Sequence, residues 1–348
     1  MIEFPRYNIL KDYNWNFNHV PLPVDAYIPT VLGNWTYCGQ KVDSPLGIAA
    51  GPLLNGRWLL YYASLGFDIL TYKTVRCSER LSYDLPNLQP IAWPELNKNS
   101  LPKEIRASDE MKDSWAISFG MPSKPPRFWQ DDVTKTKEQL GVGKFLCVSV
   151  VATPEPHHSI EDLAADYSQC SKWAIDSGAD GVEANFSCPN IDSLDGQLYL
   201  NPKNAGLVAS KLREEIADKP LLIKVGHFNN RDIAEEFFNA VKPYVDALVM
   251  VNGVSALVRD ASGELLFEGR CRGIGGSAIK ELVFTQLKWF SEFIDQYDSL
   301  VKIIGVGGLS KKCDVHRALD HGCEAVQFAT AAMINPGLCM DIRKGGFL

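Results

Sequence analysis

Short apolar and β-branched runs alternate with longer segments of helical period along most of the chain. Eight such runs read as strands: 46–51, 68–74, 145–151, 180–185, 220–225, 246–252, 301–305 and 324–328. Five intervening segments repeat apolar residues at three- and four-residue steps, as amphipathic helices do: 160–177, 204–217, 231–241, 277–294 and 311–321. This alternation predicts an α/β fold, a (β/α)8 TIM barrel. An open doubly wound sheet is the alternative, because periodicity does not show closure.

Two regions depart from the regular spacing. Residues 1–45 mix aromatic, proline and polar residues without a clear period, so we interpret them as an N-terminal extension that covers one end of the barrel, with a short hairpin near 35–42. Residues 46–348 then form a single barrel domain. Within it, residues 76–127 follow the second strand and far exceed the roughly two to six residues expected of a βα loop. Such an insertion usually builds a lid, a substrate wall or a subunit contact.

Charge and composition favour a small-molecule site. The 348 residues carry a formal net charge of -7, which argues against a nucleic-acid or anionic membrane surface as partner. No secretory signal pattern opens the chain and no apolar stretch is long enough to span a membrane, so a cytoplasmic location is expected. The nine cysteines include no C-x-x-C pair, so neither a disulfide framework nor a metal or iron–sulfur site is predicted.

Two glycine-rich stretches late in the chain predict a phosphate site. One is 273–276, interpreted as a loop before the sixth helix, and the other is 305–308, after the seventh strand. Glycines leave backbone N–H groups open to an anion, and barrels often bind phosphate near strands seven and eight. The spacing matches neither a P-loop nor a dinucleotide fingerprint, so the phosphate belongs to FMN or to a phosphosugar rather than to ATP or NAD.

Cations and small residues end several of the predicted strands. Lys73 and Lys224 each end an apolar strand, and a lysine is costly to bury unless its charge has a partner. Both therefore favour an anionic ligand at the barrel mouth. Ala50 and Gly51 end the first strand and leave room for a flat ring, while Asn252 ends the sixth.

The fourth strand runs into the sequence NFSCPN at 185–190. Pro189 forces the chain out of the sheet, so Asn185, Cys188 and Asn190 are expected at the strand end, where parallel barrels bind ligands. A lone cysteine is more often a small buried hydrophobe. Its position among ligand-type residues favours a chemical role for Cys188 instead.

With these motifs in this order, the chain from about residue 44 onward resembles the FMN-dependent dihydroorotate dehydrogenases, particularly the soluble class with a cysteine base. It is more distantly similar to the pyrimidine-reducing domain of dihydropyrimidine dehydrogenase. NFSCPN is similar to the family motif N-[LIF]-S-C-P-N, and Lys73-Thr74, Lys224, 273–276 and 303–308 support the match. The resemblance implies an oxidoreductase of pyrimidine metabolism acting on CH–CH groups, a homodimer, with FMN as cofactor. A soluble electron acceptor, fumarate by default, is expected by elimination.

The resemblance also implies roles for individual residues. Cys188 would remove a proton from one carbon of the dihydropyrimidine ring while the adjacent carbon gives hydride to FMN, and Lys73 would be the second catalytic residue. Substrate-binding residues would be Lys73, Gly120, Asn185, Asn190 and Asn252. Cofactor-binding residues would be Ala50, Gly51, Lys73, Thr74, Asn185, Lys224, Val251, Gly276, Gly307, Gly308, Ala329 and Thr330, the last five around the phosphate.

Three positions depart from the family pattern and leave alternatives open. In the stretch 117–123, Ile117 and Ser123 stand where the family has asparagines, and Gly253 stands where it has a hydroxyl residue. These changes favour a flavin oxidoreductase that acts on an uncarboxylated dihydropyrimidine or another cyclic enone. A redox-inert phosphosugar lyase or synthase, using Lys73 or Lys224 chemically, is another alternative, and a non-catalytic binding module is the last.

Overall fold

The computed structural model describes residues 4–92, 103–153, 155, 157–187 and 197–344. Its eight barrel strands, β1 to β8, are Leu46–Ile48, Ile69–Val75, Phe145–Val150, Gly181–Asn185, Leu221–Val225, Ala247–Met250, Lys302–Val306 and Cys323–Phe328. Each strand pairs in parallel with the next, and β8 pairs with β1, so the sheet closes. The predicted (β/α)8 barrel is confirmed, and closure excludes the open sheet.

Helices connect the strands on the outside of the barrel. The described helices α1 to α10 are Tyr13–Asn18, Gly56–Ser64, Pro126–Gln139, Ile160–Asp176, Pro202–Ile216, Arg231–Val241, Lys280–Gln296, Lys312–Asp320, Thr330–Ile334 and Leu338–Arg343. The five predicted helices correspond to α4 to α8. Helix α4 begins at a capping box between Ser159 and Asp162. Its predicted apolar residues are buried: Leu163, Tyr167, Cys170 and Ala174. None of the helices in the described ranges is long and apolar enough to cross a membrane.

Side chains from alternate strand positions fill the barrel interior, which we call the lumen. Ile69, Phe145 and Leu222 are among its fully buried apolar residues. The predicted hairpin is confirmed as Trp35–Tyr37 paired antiparallel with Gln40–Val42. Its Tyr37 ring packs edge-on against Phe145, with ring centres 4.8 Å apart, and so closes the N-terminal end of the lumen.

A second sheet, the cap sheet, lies over the C-terminal mouth of the barrel. Its strands are Leu88–Ala92, Glu104–Ala107, Ser114–Ile117, Val254–Arg259 and Arg272–Gly276. The first three belong to the long insertion, and the last two belong to the connection between β6 and α7. The prediction of a loop at 273–276 is therefore wrong, because these residues pair antiparallel with Ser114–Ile117. Glycine residues weaken a strand because they have no side chains to pack. Here the paired strand Ser114–Ile117 supplies the bulky side chains.

The described part of the N-terminal extension also contacts the top of the barrel. Asn55 donates from its side chain to the Phe17 carbonyl at 2.8 Å, and the Trp58 indole donates to the Asn16 carbonyl at 2.9 Å. The ring of Tyr13 packs against Phe119, with ring centres 6.1 Å apart. Helix α1 therefore lies against the end of the insertion as well as against α2.

A buried ion pair joins α10 to the start of β2. The Asp68 carboxylate is 2% exposed and lies between the Arg343 guanidinium and Lys144 Nζ, the latter at 2.8 Å. Asp68→Asn is expected to lower the free energy of unfolding by about 3–5 kcal/mol, because a buried cation then loses its partner. Chemical denaturation measures this change. Glu214→Gln, which breaks the exposed pair with Lys211, is the matched control and should cost less than about 1 kcal/mol. Equal effects would contradict the expectation.

Candidate active site

A cavity of about 400 Å³ lies between the barrel mouth and the cap sheet. The C-terminal ends of parallel strands all meet at this mouth, so residues far apart in sequence line one space. Twelve of the residues predicted for the site line it: Ala50, Gly51, Lys73, Thr74, Asn185, Lys224, Asn252, Gly276, Gly307, Gly308, Ala329 and Thr330. The fold therefore brings most of the sequence-predicted site together.

Two predicted residues do not line the cavity, and two more lie outside the described residues. Gly120 does not line the cavity, whereas its neighbours Phe119 and Met121 do. Val251 is 1% exposed, and its carbonyl oxygen would lie 3.0 Å from a Cβ added to Gly307. Cys188 and Asn190 lie outside the described residues, so their roles stay predictions from the sequence.

The glycines at one end of the cavity leave no room for side chains. Gly276 has φ +96°, and a Cβ there would lie 2.1 Å from the Asp113 carbonyl oxygen. Gly308 has φ +74°, and its Cβ would lie 2.8 Å from the Gly276 carbonyl oxygen. Asp314 accepts hydrogen bonds from the backbone N–H groups of Ser310 and Lys311, at 2.9 and 3.1 Å, and so holds the next part of the loop. Bare backbone in this conformation is the kind of surface that binds an anion.

Two amide side chains hold the backbone that leads into Cys188. Asn185 Oδ1 accepts a hydrogen bond from the Ser187 N–H at 3.1 Å, while Asn252 Nδ2 donates to the Ser187 carbonyl oxygen. The two amides also approach each other, with Asn252 Nδ2 lying 3.5 Å from Asn185 Oδ1. The Tyr167 hydroxyl donates to the Asn185 carbonyl at 2.7 Å. These contacts fix the end of β4 immediately before the predicted base.

Both strand-end lysines are buried in the cavity wall. Lys73 is 7% exposed, and its Nζ lies 5.1 Å from the centre of the Phe119 ring, which is a cation–π contact. Lys224 is 5% exposed, and its Nζ lies 3.9 Å from Glu183 Oε1. A lysine is rarely buried this deeply without a partner for its charge. The two ammonium groups make the cavity suitable for an anionic or electron-rich ligand.

The cap sheet and the segment after its Ser114–Ile117 strand supply an apolar wall, of which only Ile117 is singled out by the sequence. The wall is formed by Leu88, Trp115, Ile117, Phe119 and Met121, with the glycines at 273 and 275 beside them. Trp115 and Ile117 lie two residues apart on one short strand and so face the same side, but Ala116 between them is also apolar and buried, so the sequence shows no alternation that would identify the wall. The wall gives the cavity an apolar side opposite the barrel.

Gln327 on β8 is a second residue that the sequence analysis missed. Its Nε2 donates to Thr71 Oγ1 at 3.1 Å. Its buried Oε1 accepts no hydrogen bond from any of the residues described, although the side chain lines the cavity. A buried acceptor without a donor is costly, so this oxygen suits a ligand that carries an N–H group.

Burial alters the pKa of one group inside the lumen and of one group in a smaller cavity. It raises the pKa of the Cys147 thiol well above its ordinary value, so this lumen cysteine stays protonated and is unsuited to act as a base. Burial also lowers the pKa of His227, against the opposing effect of the hydrogen bond that His227 Nδ1 donates to Asn229 Oδ1. His227 shares a smaller cavity of about 160 Å³ with Ser187. Its position three residues after the strand-end Lys224 is the signal that could have drawn attention to it.

Comparison with known proteins agrees with this geometry. The family model described as dihydroorotate dehydrogenase matches residues 118–345. The dihydroorotate dehydrogenase of Dictyostelium discoideum is 32% identical over 319 residues, which are 87% of this chain and 85% of that protein. The catalytic subunit of dihydroorotate dehydrogenase B (NAD(+)) from Petrotoga mobilis is 31% identical over 167 residues, which are 48% of this chain and 53% of that subunit.

A solved structure shows the same fold. The crystal structure of Eimeria tenella dihydroorotate dehydrogenase in complex with ferulenol superposes with a TM-score of 0.69 at 14% identity, and the match covers 89% of this chain and 82% of that one. The family match and the Dictyostelium relative both span most of the barrel. The chain therefore belongs to the dihydroorotate dehydrogenase family, whose members are oxidoreductases acting on CH–CH groups.

Proposed function

We propose that this protein oxidises dihydroorotate with FMN as its cofactor and Cys188 as the base. The observation that carries the proposal is the composition of the mouth cavity. One end of the cavity is lined by Gly276 and Gly308, which we call the glycine cradle. The cavity also contains two buried lysines and a pair of amides that fix the backbone before Cys188. Family membership supports the reaction, and the site supports the cofactor.

The described residues fit a flavin mononucleotide. A cradle where a Cβ at Gly276 or Gly308 would overlap backbone suits a phosphate group. Ala50 contributes only a methyl group and Gly51 only backbone to the cavity lining, which suits a flat ring. The buried Gln327 Oε1, which lacks a donor among the described residues, suits a ring N–H.

Each residue then has a chemical role in the proposed reaction. When bound, FMN supplies a hydride acceptor for the oxidation of a CH–CH bond. Cys188 Sγ takes the proton from the neighbouring carbon, which requires the thiolate form and therefore donors or cations around it. Lys73 and Lys224 would provide positive charge along the ring system, and Asn252 would orient the substrate besides holding the Ser187 carbonyl. The apolar cap wall would limit the access of water to these groups.

A soluble electron acceptor would complete the turnover, with fumarate as the default choice. A cytoplasmic homodimer also belongs to the proposal, and its support is the family resemblance. A second candidate keeps the flavin chemistry but changes the substrate to an uncarboxylated dihydropyrimidine. It is favoured by Ile117, which lines the cavity where the family pattern has an amide.

Visible absorption followed by anaerobic substrate titration tests the proposal. The protein loaded with FMN is expected to show flavin absorption bands that bleach on addition of dihydroorotate. Bleaching by an uncarboxylated dihydropyrimidine alone would instead select the second candidate. A protein that stays colourless after reconstitution with FMN, or a flavin that neither substrate reduces, would overturn the proposal.

A further inference from the structure

Glu183 is a fully buried acid below the cavity. It lies in the middle of β4, and its paired positions are Ser149 on β3 and Leu222 on β5. Neighbouring paired residues share a face of the sheet, and Leu222 belongs to the lumen cluster, so Glu183 points into the lumen. Its side chain is 0% exposed. An acid in this position needs an explanation, since glutamate is rarely buried so completely.

The hydrogen-bonding of Glu183 is incomplete. Neither carboxylate oxygen accepts a hydrogen bond from the part of the chain that the structure describes. Oε1 lies 3.9 Å from Lys224 Nζ, a distance that makes a charge–charge contact but is too long for a hydrogen bond. Lys224 follows two positions after Leu222 on β5 and lines the cavity itself. The ammonium group therefore has an anion on its lumen side and the cavity on the other.

We infer that Glu183 is a positioning residue whose carboxylate holds the Lys224 ammonium at the base of the cavity and lowers the reduction potential of the bound flavin. The inference rests on the proposed function. Reduction adds negative charge to the flavin, and two buried lysines alone would strongly stabilise that charge. A carboxylate on the far side of Lys224 offsets part of this stabilisation, because charges interact strongly in the barrel interior. The reduced flavin then gives its electrons more readily to the acceptor.

The experiment is a spectroelectrochemical titration of the flavin-loaded protein and two variants. Glu183→Gln removes the charge at nearly constant volume and is expected to raise the ratio of reduced to oxidised flavin, at a fixed applied potential, by about tenfold. That ratio corresponds to about 30 mV for a two-electron couple. Asp180→Asn is the matched control. It removes one negative charge immediately before the same strand, at the opposite end of the barrel, where Asp180 pairs with Lys137 at 2.7 Å.

The outcomes separate the inference from the proposed function. A potential that moves no further in Glu183→Gln than in Asp180→Asn would overturn the inference while leaving the flavin enzyme intact. If Glu183→Gln is not recovered with flavin, Glu183→Asp takes its place. This variant moves the carboxylate away from Lys224 by one methylene. It should raise the flavin reduction potential, by less than Glu183→Gln is expected to. An unchanged or lower potential would overturn the inference. A wild-type protein that binds no flavin would instead overturn the proposed function and the inference with it.

Discussion

Cys188→Ala is expected to lower kcat for dihydroorotate oxidation by about 10²- to 10⁴-fold, the range typical for loss of a general base. Without the thiolate, no group accepts the proton from the ring carbon that lies next to the hydride-donating carbon. Flavin binding should be retained, because the cofactor-binding residues proposed for the cavity do not include Cys188. Stopped-flow measurement of flavin reduction by dihydroorotate isolates this step from reoxidation.

The backbone geometry explains why the expected loss is large. Asn185 and Asn252 hold both polar groups of the Ser187 backbone, so the chain is fixed up to the residue before Cys188. Cys188→Ser keeps the size of the side chain but replaces the thiol by a hydroxyl, which gives up its proton far less readily. The serine variant should therefore recover activity only at high pH.

Cys271→Ala is the matched control for the cysteine variants. Cys271 is exposed and does not line the cavity, so its replacement should leave the reduction rate within about a factor of two of wild type, as for an ordinary surface substitution. Wild-type rates in Cys188→Ala, with flavin bound, would show that Cys188 is not the base.

Gly276→Ala is expected to weaken FMN binding by about a hundredfold. A Cβ at Gly276 would lie 2.1 Å from the Asp113 carbonyl oxygen and 2.6 Å from Ser114 Cα, and the φ of +96° disfavours any L side chain. The glycine cradle must therefore shift. The backbone strain and the lost backbone contacts together cost about 3 kcal/mol of FMN binding free energy, which corresponds to the hundredfold loss of affinity. Titration of the apoprotein with FMN, followed by quenching of flavin fluorescence, measures the affinity.

A second alanine separates this effect from general damage. A Cβ at Gly141 would meet nothing within 4 Å, and Gly141 does not line the cavity, so Gly141→Ala should bind FMN normally. Circular dichroism of both variants shows whether the barrel is folded. Wild-type affinity in a folded Gly276→Ala variant would contradict the assignment of the phosphate to this end of the cavity.

Much of the cavity could be predicted because strand ends are local features of a sequence. The lysines at 73 and 224 and the asparagine at 185 each follow a recognisable apolar run. In a closed parallel barrel the C-terminal ends of all strands converge, so locating the strand ends was enough to place these residues together. The same reasoning placed Gly307 and Gly308 beside Thr330.

The cap sheet could not be predicted in this way. Its central pairing joins Ile117, in the insertion after β2, to Gly273, in the connection after β6. Neither segment shows a strand periodicity that is strong enough to identify it from the sequence alone. The sequence therefore predicts a loop at 273–276. Pairing between segments more than 150 residues apart depends on where the barrel places both connections.

The sequence by itself determined the alternation of strands and helices and the polar residues near the strand ends, because hydrophobic periodicity and strand-end residues are encoded locally. Only the tertiary structure decided which groups face one another. It determined the apolar wall of the cap sheet, the hydrogen bond from Asn252 to the Ser187 carbonyl oxygen, and the contact between Glu183 and Lys224. These depend on strand register and closure, which follow from packing of the whole chain rather than from any one segment.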